Sequence, residues 1–318
     1  IYDTRINQVI DEIVLAEKVG LDYFGVGEHH REDFAVSSPQ IILAAASKVT
    51  SKIKLGSAVT VLSSDDPVRI YQQFQTVNAL SHGRVEIMAG RGSFTESFPL
   101  FGYNLKDYDA LFEEKLDLLV NINENEVVKH EGKLRASIDQ IGVYPRSDYP
   151  LTISVAVGGT VSSVKRAAKY GLPLFLAIIG GEPKRFKVLI DLYKEEYVKY
   201  GHDPKKMFVS VHSHGYIDLD YDQAVRDYFP SIEVAMTKIG KERGWGAYTK
   251  ATYHHAISED GALYVGDPAY VAKKINQTIQ ELALDRFTLH IPVGPMAQEQ
   301  VMHSIEYFGA LVKPLIKP

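Results

Sequence analysis

The sequence predicts an α/β protein of the (β/α)8 barrel class, built as one domain over residues 1–318. Three observations lead there. Short runs rich in Val, Ile, Leu and Phe alternate with longer amphipathic stretches almost from end to end, the order expected of β–α units joined by right-handed crossovers. Several runs are nearly continuous in apolar residues, as strands covered on both faces of a parallel sheet must be. No Gly-rich turn follows the first strand, which disfavours an open doubly wound sheet, and no Ser- or Pro-rich linker divides the chain.

In chain order, strands are predicted over 23–27, 53–61, 85–89, 152–157, 174–179, 207–211 and 286–291. Helical periodicity marks 6–19, 39–48, 67–80, 108–121, 184–200, 269–282 and 298–311. A closed barrel needs eight strands, seven are counted, and the chain opens in a helix, so the first strand is expected to lie before Ile1. The polar stretch 218–260 is an insertion with a helix over 221–242 and a Gly-rich run at 240–246. It is expected to serve as a lid, a dimer contact or a structural excursion.

The chain has 318 residues, of which 45% are hydrophobic and 24% charged, enough apolar material for a large core. A net charge of −5 supplies no field for gathering phosphate backbones, so a nucleic-acid partner is not expected. With no cysteine, disulfides, thiolate nucleophiles, iron–sulfur clusters and Cys-based zinc sites are excluded. The apolar runs, such as 172–179, are too short to cross a bilayer and no leader is visible, so a cytoplasmic protein is expected.

Barrel chemistry collects at the C-terminal ends of strands. The first such end carries Glu28, His29 and His30, where one imidazole can serve as general acid or base, or the pair can be structural. Gly56, Ser57 and Ala58 are small enough for a flat ring, or for a neighbouring chain, to approach closely. Gly90-Arg91-Gly92-Ser93 offers a guanidinium between glycines, suited to a phosphate or carboxylate, although a structural ion pair is the competing reading. Gly158-Gly159-Thr160-Val161-Ser162-Ser163 places two glycines and hydroxyl residues at a helix start, an anion nest or an ordinary N-cap. Gly180-Gly181 is a further pocket wall or a turn. His212 and His214, two apart on a strand, face one side and are able to share a metal with His30, but no carboxylate at the end of the last strand completes a hydrolase site. Two phosphate-type features outweigh the metal, and none is expected.

Four segments in order give the chain a family resemblance. They are Gly20-Leu21-Asp22-Tyr23-Phe24-Gly25-Val26-Gly27-Glu28-His29-His30, then Leu55-Gly56-Ser57-Ala58-Val59 with Pro67-Val68-Arg69, then Leu80-Ser81-His82-Gly83-Arg84-Val85 with Gly90-Arg91-Gly92, and Val157-Gly158-Gly159-Thr160. Over residues 6–313 the sequence resembles the bacterial luciferase-like flavin-dependent monooxygenases. The resemblance implies a (β/α) barrel with FMN, or a deazaflavin, at the C-terminal face. It implies that Arg91 with Gly158, Gly159, Thr160 and Ser163 holds the ribityl phosphate. Ala58 and Val59 would lie beneath the flavin, joined by a non-prolyl cis peptide, and His29 would be the catalytic histidine. Two departures stand out: Asp109 where luciferases proper carry a second arginine, and Gly90 where they carry a reactive cysteine. Light emission is therefore not expected.

The function implied is a monooxygenase that uses reduced FMN and molecular oxygen on a small organic substrate. NAD(P)H would be the direct or indirect reductant, a separate flavin reductase a possible partner, and a homodimer the expected assembly. The alternatives are a metal-dependent barrel hydrolase using His212, His214 and His30, and a flavin-binding protein without turnover.

Overall fold

In the computed structural model, residues 1–92 and 94–317 are described; Ser93, at the end of the Gly90–Ser93 motif, lies outside the described residues. The chain divides into two compact units. One comprises Ile1–Glu17 and Asp22–Ala156, the other Lys18–Leu21 and the chain from Val157 onward.

The first unit runs α1 (Tyr2–Lys18), β1 (Tyr23–Val26), α2 (Pro39–Val49), β2 (Lys54–Ser57), β3 (Thr60–Val61), α3 (Pro67–Ser81), β4 (Val85–Gly90), α4 (Ser97–Leu100), α5 (Tyr108–Glu124), β5 (Val127–His130), β6 (Ile138–Gly142) and β7 (Thr152–Val157). β1 pairs with β2, β2 and β3 with β4, and β4 with β7, all parallel, as the apolar runs predicted. The predicted strand over 53–61 is broken after Ser57 and resumes at Thr60. The antiparallel hairpin β5–β6 was not anticipated; β5 alternates exposed and buried over only four residues, and β6 is exposed or half-buried after Ile138, without alternation.

The segment Ser81–Arg84 has a structural reason. Asp66 caps the start of α3 by accepting the N–H groups of Val68 (2.9 Å) and Arg69 (3.3 Å), with Pro67 preset for the first helical position. At the other end His82 (φ 55°) and Gly83 (φ 82°) turn left-handed and stop the helix. Arg84 then threads back and donates to the carbonyls of Ser47, Thr50, Ile53 and Ser81, so one side chain ties the end of α2 to the start of β2. Leu55, Phe74, Ile87, Leu116 and Leu119 are fully buried beneath these elements, each contributing about 1.5–3 kcal/mol of apolar burial.

The second unit continues α6 (Val161–Lys169), β8 (Leu174–Ala177), α7 (Lys187–Lys199), β9 (Val209–Ile217), α8 (Tyr221–Arg243), α9 (Lys250–Ile257), β10 (Leu263–Gly266), α10 (Pro268–Leu282), β11 (Arg286–His290) and α11 (Gln298–Tyr307). β9 is its spine. β8 pairs along Val209–His212, β11 along Ser210–His214 and β10 along His214–Ile217, all parallel. The sequence did not suggest β10, which is four residues wedged between two helices.

The insertion expected at 218–260 holds two helices rather than one. α8 is capped by Asp220 and ends at the left-handed Gly244, and α9 is capped by Thr249. Both pack on β9 and β10 through Tyr216, Tyr228, Ile232, Tyr253 and Leu263. Lys274, buried on α10, donates to the carbonyls of Ser258 (2.6 Å) and Leu263 (2.7 Å) and fastens the segment after α9 to β10. Among the described residues no helix is long and apolar enough to cross a membrane.

Candidate functional site

In the first unit the ends of β1, β3 and β4 bring three predicted groups together. Val26 at the end of β1 accepts the N–H of Ala58 at 2.7 Å, and the Ala58–Val59 peptide is cis, as the resemblance implied. Val61 lies opposite Gly90 in the pairing of β3 with β4. A Cβ on Gly90 would fall 2.7–2.8 Å from the Val59 side chain, so the glycine is what lets Val59 seat against the strand. Half-buried, the pair is thus held by Val26 through Ala58 and by Gly90 through Val59.

The small residues before them have a different cause from the one the sequence suggested. The phenol of Tyr23 lies over Gly25 and Gly56, where a Cβ would come within 3.1 Å and 2.4 Å of its oxygen. The space at Gly56 is filled by the protein's own side chain, so that glycine provides no approach for a ring.

Glu28 is buried, 7% exposed, and its carboxylate is used twice. One oxygen accepts the N–H of Val61 at 2.9 Å and the other meets Nε2 of His30 at 2.8 Å. The carboxylate thus fixes the strand just past the cis peptide and orients one of the two histidines. His29 is set apart from this pair. Its ring stacks on Phe34 with centroids 4.0 Å apart and meets the edge of Phe94 at 5.3 Å. Arg31 lies over Phe94 at 4.4 Å and donates to Glu96 at 2.9 Å, which holds that aromatic wall to the loop after β1.

Arg91 follows directly on β4. Its guanidinium donates to Asp109 at 2.5 Å and lies over the Tyr108 ring at 5.1 Å. The arginine side chain is 24% exposed and the aspartate 71%, so the pair opens to solvent. The ion-pair reading of this arginine is thus realised with the residue that departs from the luciferase pattern.

In the second unit, Gly158 and Gly159 link β7 to α6. Gly159 has φ +113°, a backbone that residues with a Cβ rarely adopt, and a Cβ on Gly158 would meet nothing within 4 Å. Thr160 occupies the N-cap position of α6, yet its side chain does not cap the helix. It donates instead to Oγ of Ser163 at 2.8 Å, and Arg166 reaches the same oxygen at 3.5 Å. Thr160 therefore does not act as the ordinary side-chain N-cap, and a cationic side chain, Arg166, lies beside the turn.

His212 and His214 share one face of β9, and the structure supplies a third imidazole that the sequence reading passed over. His290 on β11 is in register with His214 and its Nδ1 lies 3.1 Å from Nε2 of His212. The donor atoms of the three lie within 4.8 Å of one another. His30, which the metal-hydrolase alternative required, is bound to Glu28 in the first unit instead. Burial pushes the His212 ring down to about 3 and holds His214 well below its ordinary range, with neighbouring imidazoles adding to the shift at both. His290 retains accessible surface, but the nitrogen that matters faces His212.

His214 also lines a cavity of about 380 Å³ within the second unit. Gly180 and Gly181, Ile179 and Leu263 form one part of its wall, and Ile232, Met236, Trp245 and Tyr248 from the 218–260 insertion form the rest. The insertion therefore builds a mainly apolar chamber.

The family model described as luciferase-like monooxygenase matches residues 2–286. An uncharacterized protein, y4vJ, of Sinorhizobium fredii is 23% identical over 98% of this chain and 92% of its own length. The alkanal monooxygenase alpha chain of Photorhabdus luminescens is 28% identical over 59% of this chain, and the match spans 52% of that relative. Among solved structures, the monooxygenase RslO1 of Streptomyces bottropensis superposes with a TM-score of 0.86 at 18% identity, covering 99% of this chain and 94% of that one. The oxygenating constituent of 3,6-diketocamphane monooxygenase of Pseudomonas putida, a type II Baeyer-Villiger monooxygenase in complex with FMN, gives 0.78 at 18% identity over 98% and 93%. The coenzyme F420-dependent tetrahydromethanopterin reductase of Methanopyrus kandleri gives 0.76 at 21% identity over 98% and 96%. These likenesses show the barrel-class fold expected from the sequence.

Proposed function

The chain belongs to the luciferase-like monooxygenase family, and from that premise we propose that it is a flavin-dependent monooxygenase that binds FMN and oxygenates a small, largely apolar organic molecule. The observation that carries the FMN assignment is the turn Gly158–Ser163. A Cβ on Gly158 would meet nothing, Thr160 bonds the Ser163 hydroxyl in the first turn instead of capping an N–H, and Arg166 lies beside that hydroxyl, so a phosphate here would meet the positive end of α6. A deazaflavin carries a phosphate in its own side chain and is the alternative that the same turn accommodates.

Bound flavin would supply the redox chemistry: two electrons from NAD(P)H, delivered directly or through a separate reductase, would go to oxygen, one atom of which enters the substrate while the other leaves as water. The chain's own residues position and protect. The cis Ala58–Val59 segment, clamped between Val26 and Gly90, presents a rigid surface at the strand ends. Glu28 holds that segment in place through Val61. His29, cased between Phe34 and Phe94, is the proposed proton donor or acceptor at the reacting oxygen, its faces shielded from water by the rings. Arg91 is proposed as a further ligand to the cofactor's phosphate. The chamber walled by Ile179, Ile232, Met236 and Trp245 is proposed to take the substrate, whose apolar surface it matches. We infer a cytoplasmic homodimer acting as a single functional domain.

The assignment is tested by titrating FMN and riboflavin into the purified chain and following fluorescence quenching. FMN is expected to bind at least tenfold more tightly than riboflavin, with Ser163→Ala and Gly159→Ala removing the difference. Equal affinity for both ligands would remove the phosphate site from the argument. Oxygen uptake with chemically reduced FMN then separates an oxygenase from a carrier.

A further inference from the structure

We propose that His212, His214 and His290 form a binding site for a divalent transition metal of the zinc type, with three imidazole ligands and an open fourth position. The site lies wholly within the second unit and does not depend on the flavin reading.

The backbone assembles it. Alternate residues of a strand project to one face, so His212 and His214 stand side by side on β9. β11 pairs with β9 in parallel, with His290 directly opposite His214 and Thr288 opposite His212. The third imidazole is thereby delivered to the same face, and the three ring centroids are 5.1–5.5 Å apart. Two imidazoles spaced i, i+2 on one strand and one on its neighbour is an arrangement that suits three ligands of a tetrahedral metal.

The distances suit a metal as well. Nitrogens bound at 2.0–2.1 Å to one tetrahedral ion stand about 3.3 Å apart. Nε2 of His212 and Nδ1 of His290 are 3.1 Å apart already, and the donor atoms of all three rings lie within 4.8 Å of one another. His214 supplies the second, independent observation. It is only 7% exposed and its Nδ1 has no hydrogen-bond partner among the described residues. A buried ring nitrogen left unsatisfied costs about 1–3 kcal/mol, and a metal ion restores a partner to it.

The donor set also selects the ion. Three imidazoles and no carboxylate favour zinc, cobalt, nickel or copper over magnesium or calcium. Because the ligands are neutral, the ion keeps its full charge and the open position takes water or an anionic oxygen. A bound ion would also pin β11 to β9, adding a cross-link to strands otherwise joined by the backbone ladder.

The test uses the full chain without an affinity tag, stripped with EDTA and dialysed. Cobalt(II) chloride is added while visible absorption is followed, and zinc chloride is added in a calorimeter. One equivalent of cobalt is expected to give the intense d–d bands of a four-coordinate site, with zinc displacing it. His290→Gln and His212→Gln should each lower the affinity at least about 100-fold, whereas His303→Gln, on α11, should leave it unchanged. Circular dichroism and thermal melting of the metal-free variants establish that they are folded. Absence of a stoichiometric cobalt spectrum in the wild-type chain would overturn the proposal, as would a folded His290→Gln variant that binds cobalt as the wild type does.

Discussion

The ion pair between Arg91 and Asp109 permits a test in which two neutralising substitutions push in opposite directions. If Arg91 serves the FMN phosphate, then Asp109, held at 2.5 Å from the guanidinium, competes with the ligand for the same donors. Arg91→Ala removes a charge-assisted and potentially bidentate contact, about 1.5–3 kcal/mol, and FMN affinity is expected to fall about 10- to 100-fold. Asp109→Asn keeps the side chain's shape while deleting its charge. A unit charge some 6 Å from a phosphate near −2 is repelled by about 1.4 kcal/mol in water before salt screening. At ordinary ionic strength about 0.7 kcal/mol remains, so Asp109→Asn should tighten FMN binding about threefold.

The assay is quenching of flavin fluorescence for wild type, both single variants and the double variant, in low salt and in 0.5 M KCl. The double variant should bind FMN more tightly than Arg91→Ala but more weakly than the wild type, because the repulsion between Asp109 and the phosphate does not pass through the arginine. Riboflavin, which lacks the phosphate, should be indifferent to both changes, and high salt should shrink the gain from Asp109→Asn. A purely structural ion pair predicts something else. Exposed pairs contribute about 0.2–1 kcal/mol to stability, so both substitutions would lower stability slightly and neither would move FMN affinity. Weakened binding in Asp109→Asn, or unchanged binding in Arg91→Ala, would refute the assignment of Arg91 to the phosphate.

Two further expectations follow from the buried polar groups. Glu28→Ala leaves the Val61 N–H without its acceptor and His30 without its partner, and should lower stability by about 2–4 kcal/mol in urea titrations; Glu28→Gln, which can still accept from Val61, should cost less than half of that. The histidine cluster sets an acid limit. The folded-state pKa values of His212 and His214 lie below the unfolded value near 6.5, so the folded state binds fewer protons and acid favours unfolding. In EDTA, the buried His214 ring should contribute its stability fully above about pH 6.5 and lose up to about 1.4 kcal/mol per pH unit below it. Unfolding free energies of wild type and His214→Gln between pH 7 and 5 check this; parallel curves would exclude the ring as the cause.

Much of the first unit could be read from the sequence because its signals are local. Asp66-Pro67 opens a helix and His82-Gly83 closes one by short-range chemistry alone, and the apolar runs at 85–89 and 152–157 appear as β4 and β7. The features that escaped depend on register or on side chains arriving from elsewhere. His290 was invisible as a third imidazole because only the pairing of β11 with β9 puts it beside His214. Gly56 looked like room for a ligand because the sequence does not say where the Tyr23 phenol goes. β10 has four residues and no alternation to betray it, since all four are buried. The chamber lined by Met236 and Trp245 needed both α8 and α9, and the second of these is an eight-residue helix capped only by Thr249.

The two departures from the luciferase pattern can now be weighed separately. Gly90 is dictated by packing: the Val59 side chain already fills the volume where a cysteine would begin, with contacts of 2.7–2.8 Å to an ideal Cβ. A cysteine there requires Val59 to shift, and Val59 belongs to the cis segment that Val26 and Glu28 hold from the other side. The glycine and the valine are therefore one coupled choice, which a single Gly90→Cys substitution would break and a paired change at residue 59 would be needed to accommodate. Asp109 is different. It is exposed, stands in the first turn of α5 where a negative charge is favoured anyway, and touches nothing in the core. Its exchange for arginine meets no packing obstacle, so the aspartate is not imposed by the fold; what it sets is the charge beside Arg91.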